Sequence, residues 1–189
     1  AGYSTEQMGI ALDVASTEFH RDGAYHIDGQ AIDSEGLADL YSGWLDEYPI
    51  LSIEDGFDED DWLGWSRFTA REGHRVQIVG DDLFVTQSER LARGIEMQAA
   101  NAMLVKVNQV GTVTETLEAM DLASRNGFNN VVSHRSGETE DVTIADLCVG
   151  TRAGQIKTGA PARSDRTAKY NQLLRIASEV SDYANPFDV

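Results

Sequence analysis

One cysteine, three prolines and a shortage of basic residues set the first limits on this 189-residue sequence. Cys148, being alone, cannot close an internal disulfide, which fits a reducing, cytoplasmic setting. It shares helical spacing with Ile144 and Leu147, so a small packed hydrophobe is its expected role. The prolines do not gather with glycine and serine into a linker, and residues 1–189 read as a single domain. No apolar run approaches the roughly 20 residues that cross a bilayer, and no signal-peptide pattern opens the sequence, so no membrane partner is expected.

Lysine and arginine number 15 against 32 aspartates and glutamates, a formal charge of −17. Without a basic stripe to neutralise phosphates, nucleic acid is not an expected partner. The acids are spread over helix faces, as in a solvated surface, and a halophilic origin fits because salt screens their mutual repulsion.

What the sequence does contain is a repeating unit: a short apolar run, a polar residue, then a helical pattern. The runs are Ile10–Leu12, Ile50–Ile53, Val76–Val79, Met103–Val105, Val131–Val132 and Gln155–Ile156. Most are continuous rather than alternating, as in parallel strands covered on both faces. Between them, Leu37, Leu40, Tyr41, Trp44, Leu45 and Tyr48 form one apolar helical stripe, and Trp62, Trp65 and Phe68 another. Thr86 with Glu89 and Thr112 with Glu115 have capping-box spacing, and Gly127 falls at a helix C-cap. A last helix carries Tyr170, Leu173, Leu174, Ala177 and Val180 on one side. Repeated βα units of this length predict a parallel α/β fold, doubly wound or a barrel, and no glycine-rich nucleotide loop follows the first strand.

The runs end in order on Asp13, Glu54, Asp81, Lys106, His134 and Lys157, at intervals of 41, 27, 25, 28 and 23 residues. Taken singly, each is an ordinary cap or a solvated charge. Six in register point to a common role, and in a (β/α)₈ barrel such strand carboxyl ends converge on a single mouth, where active sites lie. Three carboxylates make a hard oxygen cage suited to Mg²⁺, and a lysine beside such a cage can act as a base near neutral pH. Ser133-His134-Arg135-Ser136-Gly137 adds donors suited to a phosphate monoester.

The sequence resembles the enolase family over Gly9 to Arg175. The resemblance is carried by Gly9–Phe19, Ser52–Asp55 with Glu59–Trp62, Ile78–Leu83 and Lys106–Gln109, then by Ser133–Asp141, Gly154–Pro161 and Lys169–Arg175. It implies an α/β fold of six consecutive parallel βα units from an incomplete TIM barrel, and reversible dehydration of 2-phosphoglycerate to phosphoenolpyruvate in glycolysis. Asp13, Glu54 and Asp81 would bind Mg²⁺, with Glu54 and Asp81 also facing substrate. Lys106 resembles the base that takes the C2 proton, Lys157 the group that contacts the substrate carboxylate, and His134 joins them in the catalytic set. Ser133, His134, Arg135 and Ser136 resemble the substrate loop, and a homo-oligomer is implied for the full-length protein. The family's amino-terminal α+β domain, with its mobile loop, and its first barrel elements have no counterpart here, so weak activity or none is expected of this stretch alone.

Overall fold

A computed structural model describes residues 2–5, 7–183 and 185–187. Its elements open with β1 (Ile10–Asp13), β2 (His20–Arg21), β3 (Ala24–Ile27), β4 (Gln30–Ile32), α1 (Ser34–Glu47), β5 (Ile50–Glu54), α2 (Trp62–Glu72), β6 (Gln77–Gly80) and α3 (Ser88–Met97). The chain continues through β7 (Ala102–Val105), α4 (Val107–Val110), α5 (Val113–Arg125), β8 (Asn129–Ser133), α6 (Thr143–Gly150), β9 (Gln155–Lys157) and α7 (Ser164–Ala177). Six strands pair in parallel in the order β1-β5-β6-β7-β8-β9, each apolar run supplying one of them.

Six strands laid flat would separate the first from the last by about 24 Å at the usual spacing of ~4.8 Å. Instead Lys157 Nζ on β9 donates to Asp13 Oδ2 on β1 at 2.6 Å. The sheet is therefore curled into part of a barrel, with β1 and β9 as its edges.

The long first interval holds a small antiparallel sheet, β2-β3-β4, absent from the sequence reading. Its hairpins turn at Asp22-Gly23 and Asp28-Gly29, with all four residues at positive φ, the geometry that asparagine, aspartate and glycine adopt at least cost. Tyr25 anchors this sheet by donating to Asp61 at 2.8 Å. Asp61 also caps α2 by accepting the Gly64 N–H at 3.0 Å.

Side-chain alternation divides the sheet's two faces. Ile53, Ile78, Met103, Val105 and Val132 point to the helices, where Leu37, Tyr41, Phe57, Trp65 and Phe68 complete the large core. Tyr41, Phe57 and Phe68 meet at centroid distances of 5.5 to 5.9 Å. Burying each such ring contributes roughly 1.5–3 kcal/mol. On the concave face Val79, Ala102, Leu104 and Val131 form a smaller cluster. Beside it Gln77 and Gln155 exchange amide hydrogen bonds at 2.9 and 2.8 Å, with Ser52 and Asn129 also bonded to Gln77.

One local expectation is corrected. Thr86 does not cap a helix: α3 starts at Ser88, and Thr86 is buried with φ 56°, its hydroxyl turned to the next βα unit. Along α7 the apolar face is only partly covered, with Leu174 70% exposed, while the residues it buries fully are Arg166 and Lys169. Thr112 caps α5 as expected, accepting the Glu115 N–H at 3.2 Å, and Gly127 adopts the left-handed C-terminal turn. Cys148 is free and buried.

Candidate active site

A period of two along each strand decides which strand-end groups meet. Asp13, Glu54, Asp81, Lys106 and Lys157 share the parity of the concave-face residues, as does Ser133. His134 is one residue further on, so it turns toward the helix layer and meets α7. Five of the six strand-end groups thus converge on the mouth; the sixth lies behind it.

Two lysines divide the carboxylates. Lys157 Nζ bridges Asp13 Oδ2 at 2.6 Å and Glu54 Oε1 at 2.7 Å. Lys106 Nζ pairs with Asp81 Oδ2, and Gln109 Nε2 reaches Asp81 Oδ1 at 3.3 Å. Burial would lower the Lys157 pKa, but Asp13 and Glu54 hold it above the ordinary lysine value.

Behind these pairs lies Asp55, placed by a left-handed backbone at φ 45°. Its two oxygens accept the N–H groups of Asp81 at 2.8 Å and Asp82 at 3.0 Å. Asp55, Asp81 and Asp82 each offer an oxygen within 4.8 Å of the others, a cluster compatible with a divalent cation. Residue patterning missed Asp55, because a second acid after a strand reads as a turn residue.

The mouth is rich in acid: Asp13, Glu54, Asp55, Asp81 and Asp82 gather there, and among the described residues the ion pairs they make are with Lys106 and Lys157. Burial pushes the Glu54 carboxyl up to about 7, with the Asp13 and Asp81 charges adding and Lys157 opposing. Burial likewise raises Asp55 to about 8, with the Asp81 and Asp82 N–H groups opposing and their charges adding. Such crowding is relieved by protons or by a divalent cation, and all-oxygen donors select a hard one.

A polar brace sets Lys106. Its backbone N–H donates to Thr86 Oγ1 at 3.0 Å, and the Thr86 hydroxyl donates to Gln109 Oε1 at 2.9 Å. Val85 and Thr86 both have positive φ, a costly conformation for β-branched residues that is held where function demands it. No pattern links Thr86 to Gln109 or to Lys106; the contact becomes visible only once β6 and β7 are side by side.

The segment after β8 supplies the remaining groups. Ser133 is buried and donates to the His134 carbonyl at 3.0 Å, while the His134 N–H donates to the Lys157 carbonyl at 2.9 Å. Arg135 Nη1 donates to Asn108 Oδ1 at 2.7 Å, and its N–H donates to Glu138 Oε1 at 3.0 Å. Ser136 is exposed beside them.

Parallel strands curled into part of a barrel, with acids and lysines gathered at their carboxyl ends, put this candidate site where α/β-barrel enzymes carry theirs. A family model described as the enolase C-terminal TIM barrel domain matches residues 1–187. The chain belongs to that family, and its coarse function is that of an enolase-superfamily lyase.

Proposed function

We propose that residues 1–189 form a single domain that supplies the metal-and-base arc of an enolase, interconverting 2-phosphoglycerate and phosphoenolpyruvate. The observation that carries the reading is the pairing of Lys106 with Asp81 on the same concave face as the Lys157 bridge to Asp13 and Glu54. A base beside a carboxylate cage is the arrangement that removes a weakly acidic proton next to a carboxylate, and enolase-superfamily sites are a known example of it.

In this reading Asp13, Glu54 and Asp81 would hold Mg²⁺, and Asp55 and Asp82, clustered with Asp81, would add negative charge to the site. When bound, the ion supplies positive charge against the carboxylate of the substrate. Lys106 takes the C2 proton on its Nζ. Lys157 faces the substrate carboxylate, and its raised pKa suits a group that stays charged. Arg135 and Ser136 receive the phosphoryl group, with His134 and Ser133 shaping the loop from behind and below. Loss of the C2 proton and of the C3 hydroxyl as water leaves phosphoenolpyruvate.

The test is an ultraviolet assay of phosphoenolpyruvate formation from 2-phosphoglycerate in MgCl₂, beside a calorimetric titration with MgCl₂ alone. Turnover that requires the ion supports the reading. Tight Mg²⁺ binding with no turnover and no exchange of the C2 proton, both for residues 1–189 alone and for their mixture with an enolase amino-terminal domain, would overturn it.

A further inference from the structure

Helix α7 contributes nothing to the concave face, yet it buries two cations against the loop after β8. Arg166 is 6% exposed and Lys169 is 0% exposed, three residues apart on one face of the helix. Lys169 Nζ donates to Glu138 Oε2 at 2.9 Å, the Thr139 carbonyl at 2.5 Å and the Asp165 carbonyl at 2.6 Å.

Arg166 grips three consecutive residues. Its Nη1 lies 2.6 Å from His134 Nδ1 and 3.0 Å from the Arg135 carbonyl, and its Nη2 lies 3.1 Å from the Ser136 carbonyl. Asp165 Oδ2 balances the charge at 3.2 Å from Nε. The stem runs against the loop after β9: a Cβ at Gly159 would fall 2.8 Å from Arg166 Cδ, and Gly159 itself has φ 86°. The Arg166 side chain therefore joins the two loops, its guanidinium bonded to the one after β8 and its stem packed against the one after β9.

A guanidinium has donors only, so the His134 nitrogen facing it must accept. We infer that Arg166 is a positioning residue for the oxyanion loop, fixing His134 as the neutral Nε2–H tautomer and presetting the backbone of Arg135 and Ser136 for a phosphoryl group. Burial, then the Arg166 charge, lower the His134 pKa, consistent with a ring kept neutral. The phosphoryl part of this inference rests on the proposed enolase reading; the tautomer part does not.

Three measurements test it on the protein, with Arg166→Lys and Arg166→Gln compared and their folding checked by circular dichroism. Imidazole ¹⁵N resonances of wild-type His134 should show the Nε2–H form alone; an Nδ1–H form would overturn the inference without any variant. In Arg166→Gln the tautomers should mix. The KM for 2-phosphoglycerate should rise about tenfold, the scale of one lost charge-assisted hydrogen bond, with kcat largely kept. Arg166→Lys keeps the charge but cannot hold three acceptors at once, and it should raise KM as well. Folded variants with unchanged KM and an unchanged tautomer would refute the role, as would a loss of thermal stability as the sole change. Should wild type not turn over 2-phosphoglycerate even when mixed with an enolase amino-terminal domain, the enolase reading fails by itself, and the ¹⁵N spectra alone decide for or against Arg166.

Discussion

The hydroxyl of Thr86 accepts the backbone N–H of Lys106 at 3.0 Å, joining the loop after β6 to the residue that ends β7. Thr86 is fully buried, and its own proton goes to Gln109. Replacing it with valine keeps the shape and removes these bonds together with the longer contact to the Leu104 carbonyl at 3.3 Å. Thr86→Val should cost about 1–3 kcal/mol, the usual penalty for leaving a buried donor without a partner. Urea unfolding monitored by tryptophan fluorescence measures it; an unchanged midpoint would show the brace to be unimportant.

Lys106→Ala removes the proposed base and leaves the carboxylates in place. The rate of C2 proton exchange in deuterated water should fall by roughly 10²–10⁴, the range for one acid–base group. Mg²⁺ affinity should hold or rise, because Asp81 loses its ammonium partner. Exchange at the wild-type rate rules out the base assignment.

Glu54→Gln removes a buried carboxylate and one of the two carboxylate partners of Lys157 together. Mg²⁺ binding should weaken by at least about tenfold, a loss already seen when residues merely supporting a metal site are changed. Isothermal titration calorimetry gives the number, and an unaltered isotherm removes Glu54 from the ligand set.

Burial alone would raise the Glu138 carboxyl, but Lys169 and the N–H groups of Arg135 and Thr139 pull it below the ordinary value. A carboxyl that is more acidic when folded adds stability above its unfolded pKa of about 4.3 and loses it as pH falls through the folded value. Glu138→Gln, which leaves the buried Lys169 ammonium without its counter-ion, should therefore cost about 3 kcal/mol at pH 7. The gap from wild type should close toward pH 3. Denaturant curves across that window check the sign, and a gap that widens on acidification contradicts the pairing.

A chain of charge −17 repels itself in dilute buffer. Raising KCl from about 0.1 M to about 1 M shortens the screening length from ~10 Å to ~3 Å and should raise the melting temperature. Differential scanning calorimetry reads this directly, and a fall with salt would mean that the ion pairs outweigh the repulsion.

All six parallel strands were legible because a strand covered on both faces is written as a continuous apolar run, and the helical stripes were plain for the matching reason. The small sheet was not, since His20–Arg21 and Ala24–Ile27 are too short and polar for a periodicity to emerge. Its two Asp-Gly pairs were the available signal. Thr86 was misread because Thr-x-x-Glu is a local pattern, whereas its partners Lys106 and Gln109 belong to the next unit. Of the site, the strand-end charges could be taken from spacing alone. Asp55 and Arg166 could not, because one depends on a left-handed turn and the other on a loop folding over a helix. Pattern also leaves His134 among its neighbours, and only the pleat separates it from them.

The Lys157–Asp13 hydrogen bond is a chord drawn across an arc of six strands. Its length is a gauge of curvature: opening the sheet by a few ångströms would part those two groups before any other contact in the mouth. Glu54 shares the same ammonium, so flattening would also strip its counter-charge and push its carboxyl further toward the protonated form. The shape of the backbone and the ionisation of the mouth are in this way one mechanical variable, and whatever stiffens the two edge strands also tunes the charge at the site.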